Sequence, residues 1–193
     1  MRQLNQSHPM IIAPLLALVM LATRGHHDFS PLHLPDASWA VFFLLGLYLP
    51  QRWLFALFFL LAAGIDYVAI TWGGVSSFCV TGAYLFLIPA YGALWFSGRI
   101  YRPQSNLSFG DLIPVALYAL GGTLACELIS SGGFYFFSGR FVDTSLAEFA
   151  GRLMTYLPGS LKNQALYLGL AMLIHTMFSL VRLKLIRNQG LAG

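Results

Sequence analysis

WLFALFFLLAAGIDYVAITW, residues Trp53–Trp72, decides the fold class. A helix needs about 20 mostly apolar residues to cross a bilayer, and this run supplies them with one charge, Asp66. The whole chain agrees. Of its 193 residues 58% are hydrophobic and only 9% charged, against about 25% charged in a soluble domain. That composition predicts an all-α integral membrane protein, one domain over residues 1–193, with no room for a second, aqueous domain.

Working outward from Trp53–Trp72, five more apolar segments are expected. They are Met10–Ala22, Ala37–Leu49, Ser77–Trp95 and somewhat beyond, Leu112–Phe134 and Leu157–Leu183. The first two are short for a span. Pro50, Pro103 and Pro158 are read as marks of segment ends. Met10–Ala22 lacks the small-x-small cleavage site of a signal peptide. Arg2, Arg52, Arg99, Arg102, Arg182, Lys184 and Arg187 fall on one side of six spans, and Arg24, Arg140, Arg152 and Lys162 on the other. The positive-inside rule then puts both termini in the cytoplasm. The formal charge of +4 follows from this topology. With no basic run and no recognition motif, it gives no sign of a nucleic-acid partner.

The outer loops carry the polar chemistry. Loop one holds His26, His27, Asp28 and His33, read either as solvated imidazoles or as groups that bind a metal or orient a ligand. Loop three, Gly73–Ser76, leads straight to Cys79. In loop five, Leu146, Phe149, Ala150 and Leu153 fall on one helical face. An amphipathic helix capped by Asp143 or Thr144 is expected there, lying over the outer mouth. Arg152 on that helix suits a carboxylate or phosphate, or pairs with Glu148 four residues before it. Asp66 lies about 9 Å below the outer end of its segment at 1.5 Å per residue. Glu127 lies at a similar depth, and Tyr84 about one turn below Cys79. A carboxylate in lipid costs about 3 kcal/mol or more, so each needs a partner. Either it ties helices together or it serves a ligand. His175 and Cys126 read as packing residues.

Cys79 has two chemistries open to it: a soft metal ligand, or a thiol that exchanges disulfides. The two cysteines form neither a CxxC nor a zinc spacing. The chain has no Walker motif, so it hydrolyses no ATP.

Several of these stretches carry a resemblance. Six segments in fewer than 200 residues, loops one, three and five around a pocket, and the Ala13/Ala17 pair resemble the substrate-binding S-components of energy-coupling-factor vitamin transporters. His26-His27-Asp28, Gly64-Ile65-Asp66-Tyr67, Ser77-Phe78-Cys79-Val80-Thr81-Gly82-Ala83-Tyr84 and Gly151-Arg152-Leu153 resemble, more narrowly, the BtuM family of cobalamin transporters. The resemblance implies an uptake protein of the bacterial inner membrane for cobalamin or cobinamide. Cys79 would be the axial ligand of the corrinoid cobalt, with His27, Asp66, Tyr84 and Arg152 lining or supporting the site. It implies no cofactor beyond that bound substrate. It also implies either a coupling module docked on Ala13 and Ala17 or none at all. Cys79-mediated loss of cyanide from cyanocobalamin is the one reaction expected. The competing expectations are a membrane thiol–disulfide enzyme using Cys79 and Cys126, and a small-metal-ion permease using His26, His27 and Asp66.

Overall fold

A computed structural model describes residues 7–24, 34–49, 51–101 and 109–190. Among them the chain is helical throughout and has no strand. The helices are α1 Ser7–Thr23, α2 Ser38–Tyr48, α3 Arg52–Trp72, α4 Leu87–Tyr101, α5 Leu112–Phe137 and α6 Leu146–Gly190.

The shortest helix is the centre of the molecule. Eleven residues of α2 rise only about 16 Å, roughly half the hydrocarbon core of a bilayer. Ser38 and the whole run Ala40, Val41, Phe42, Phe43, Leu44, Leu45, Gly46 and Leu47 are buried. A helix apolar on every side has to be covered on every side, and α1, α3, α4 and α6 surround this one. Its closest neighbour is α4. A Cβ added at Gly46 would run into the backbone of Trp95, and one at Gly98 into the backbone of Phe43. Paired glycines let the two helix axes approach until backbone meets backbone. Phe42 fills the remaining space, stacked on Tyr91 with ring centroids 4.4 Å apart.

α3 and α5 are long and apolar enough to cross a membrane, yet only 22% and 33% of their most apolar stretches is buried. Leu57, Leu60 and Val68 of α3 are exposed, as are Ile113, Leu117 and Leu128 of α5. A water-soluble core helix of this composition would hide those faces, so the outward apolar surface has membrane character. α1 and α2 are apolar but shorter. Six spans therefore exceed what helix length and hydropathy carry.

Two expectations are corrected. The fourth segment is not one helix from Ser77. Short 3-10 turns at Ser77–Cys79 and Gly82–Phe86 precede α4. Ser76 Oγ accepts from the Phe78 N–H and Thr81 Oγ1 from the Ala83 N–H, both at 3.2 Å. Such local bonds compete with the helical ladder. The loop-five helix is also not separate from segment six. Both belong to the 45-residue α6, with Pro158 inside it instead of at a boundary. The helix begins after Ser145, whose Oγ accepts from the Glu148 N–H at 3.2 Å. This is half of a capping box, and it shifts the expected cap from Asp143 or Thr144.

Candidate functional site

The C-terminal ends of α1, α3 and α5 meet the N-terminal ends of α2 and α6 and the 3-10 turns before α4. Arg24, one residue past α1, organises half of this end. Its Nε and Nη2 donate to the two carboxylate oxygens of Asp66, both at 2.7 Å. Nη1 donates to Ser38 Oγ and Tyr91 Oη, both at 2.9 Å, and lies 3.4 Å from Asp36. Tyr84 Oη donates to Asp66 Oδ2 at 2.8 Å. The side chain is only 8% exposed. Burial works against its charge, but Tyr91, Asp66 and Asp36 outweigh that and hold the guanidinium above its ordinary pKa. A planar fork matched to a carboxylate is the strongest form of such a pair. One arginine thus ties α1, α2, α3 and α4 together.

Asp66 and Tyr84 are therefore in direct contact, but around Arg24. Sequence reasoning counted Arg24 only as a loop charge. The signal was present. A carboxylate inside an apolar helix requires a cation, and Arg24 directly follows an apolar run on the same side.

The other half of this end is aromatic. Phe78, Ser131, Phe134, Tyr135, Phe149, Arg152 and Tyr156 line a cavity of about 280 Å³. Ring contacts at 5.8 Å between Phe78 and Phe134, and at 5.9 Å between Tyr135 and Phe149, shape its walls. Arg152 lies 4.5 Å from the Phe141 ring centre and 5.5 Å from that of Tyr135. Its partner Glu148 is 3.6 Å away, one turn earlier, and both side chains are partly exposed. A guanidinium held by rings and one loose ion pair keeps donors free for an anionic or carbonyl group.

Cys79 follows the cavity residue Phe78 directly. Its thiol is free and exposed, and Cys126 is free and buried. Cys126 sits at 0% exposure in the core, as a packing residue does. His175 also packs: its Nδ1 is 3.3 Å from Tyr48 Oη, joining α6 to α2. Ala13 and Ala17 are partly buried against the core, while Leu15 and Leu18 on the same helix are exposed. Among the described residues no three His, Cys, Asp or Glu side chains gather as a metal site. His26, His27, Asp28 and His33 lie outside the described residues.

No protein-family model matches this chain, and no curated protein matches it.

Proposed function

We propose that this chain is a multi-pass protein of the bacterial cytoplasmic membrane that captures cobalamin or cobinamide from outside. Cys79 serves as axial ligand to the corrinoid cobalt. The six helices form its membrane domain, with α2 enclosed in the bundle as less than a full-length span, both termini in the cytoplasm and the Arg24 end facing out. The observation that carries the reading is an exposed, unpaired thiol one residue from a cavity walled by aromatic rings and an arginine. The rings suit the flat apolar face of a macrocycle, and Arg152 suits its amide or phosphate groups. A cavity of about 280 Å³ is smaller than a corrinoid. It takes a ring edge or side arm, while the bulk lies over the exposed Phe78, Cys79 and Val80.

The chemistry is a ligand exchange. The thiol gives up its proton, and sulfur donates an electron pair to cobalt(III). In cyanocobalamin the cobalt–cyanide bond breaks, cyanide leaves with its bonding pair, and it takes up the proton as hydrogen cyanide. The cobalt oxidation state does not change. Asp66 and Tyr84 support the site as part of the Arg24 frame, and Arg152 touches the ligand.

The thiol–disulfide reading draws less support, because Cys126 is fully buried and unpaired. The test is the visible spectrum of protein purified from cells fed cobalamin. A corrin band that stays with the protein through purification is expected. A colourless protein with a Cys79–Cys126 disulfide, or one carrying bare nickel, cobalt or zinc, would refute the proposal.

A further inference from the structure

Below the aromatic cavity, α5 and α6 run antiparallel in a steady register. Arg152 lies over Tyr135. Ser131 and Tyr156 line the cavity together. Ser160 Oγ donates to Glu127 Oε2 at 2.7 Å. Each four-residue step back along α5 matches a four-residue step forward along α6, as facing stripes of antiparallel helices require. Extending the same step sets Thr123 at the level of Gln164, without a hydrogen bond between them, and then Ala119 at the level of Leu168, both apolar and buried. A polar seam thus descends from the cavity floor and stops at an apolar plug.

Two features of this seam are unusual. Glu127 is 4% exposed, and no cationic side chain among the described residues pairs with it. Ser131 and Ser160 each donate one hydrogen bond to it, but a carboxylate offers about four lone-pair sites. A buried carboxylate without a counter-charge is costly. One level on, Gln164 is also 4% exposed and Thr123 is fully enclosed. Gln164 Oε1, Gln164 Nε2 and Thr123 Oγ1 are all buried with no hydrogen-bond partner. Buried polar atoms left open in this way call for a water or an ion.

We propose that the Glu127–Ser160 and Thr123–Gln164 levels form a binding site for an alkali-metal cation. The donors are hard oxygens: the Glu127 carboxylate, the Ser160 and Thr123 hydroxyls and the Gln164 carbonyl. A hydroxyl that donates to the carboxylate keeps lone pairs for the ion. One carboxylate balances one positive charge, which favours a monovalent ion over calcium or magnesium with their richer carboxylate shells. The ion supplies the counter-charge that Glu127 lacks and occupies the orphaned oxygens. The inference stands apart from the corrinoid reading.

The test is thermal unfolding of the purified full-length protein at constant ionic strength, with choline chloride replaced stepwise by sodium or potassium chloride. The expected result is a saturable rise in Tm of roughly 5 °C with one or both alkali ions. Glu127→Gln and Gln164→Leu should each weaken the apparent affinity at least tenfold. Thr123→Val serves in place of either variant that fails to fold. Wild-type protein with the same Tm in all three salts would overturn the proposal and leave water as the occupant. An alkali-ion effect undiminished in the variants would overturn it as well, because the ion would then bind elsewhere.

Discussion

The two halves of one end of this bundle are built on opposite principles. Around Arg24 every oxygen of Asp66 is taken, four helices are pinned, and the guanidinium is almost fully buried. Around Phe78 and Arg152 the groups are rings, a loosely held guanidinium and an exposed thiol. The first half has satisfied its own chemistry and acts as frame. The second has chemistry left over, which is where a ligand gains most. For the proposed function, a pre-built frame also lowers the entropy lost on binding a ligand.

That contrast predicts a graded response to mutation. Arg24→Ala should be the most damaging, costing about 3 kcal/mol, because it removes the buried member of the two-pronged pair and leaves the half-buried Asp66 carboxylate without its cation. Arg24→Lys should recover only part of this, since an ammonium cannot form the two-pronged bond. Chemical or thermal unfolding in detergent measures both. Next comes Gly46→Val, which forces apart the α2–α4 contact and should cost about 1–3 kcal/mol by overpacking. Arg152→Gln should lower stability by about 1 kcal/mol or less, because it removes only ring contacts and an exposed pair. Smallest is Cys79→Ser, expected within about 0.5 kcal/mol of the parent. A maleimide should label Cys79 in the folded protein and reach Cys126 only after unfolding. Equal costs for Arg24→Ala and Arg152→Gln would erase the distinction between frame and mouth.

Much of this was legible in the sequence, and the failures have physical causes. The limits of α1, α2, α3 and α5 follow the largely apolar runs to within about a turn. That Asp66 needs a partner was legible because a carboxylate in an apolar helix must be answered, and depth along the segments put Asp66 and Tyr84 toward the same end. The identity of that answer, Arg24, depends on how α1 and α3 pack, which residue spacing within either helix does not encode. The fourth segment misled because hydropathy does not register the Ser76 and Thr81 side-chain bonds that hold Phe78 and Ala83 in 3-10 turns. Pro158 misled because proline usually ends a helix, whereas α6 runs through it. Helices packed among others tolerate the lost bond when neighbouring groups satisfy the freed carbonyl. The Thr123–Gln164 level was not legible at all, since it exists only in the α5–α6 register.

In the proposed function sulfur bonds directly to cobalt. Adding cyanocobalamin to purified wild-type protein and to Cys79→Ser, and recording visible spectra of the bound ligand, tests it most directly. A shifted corrin spectrum is expected with the wild type and none with the serine variant, whose fold should be intact. The same shift, held with the same affinity by the serine variant, would contradict it.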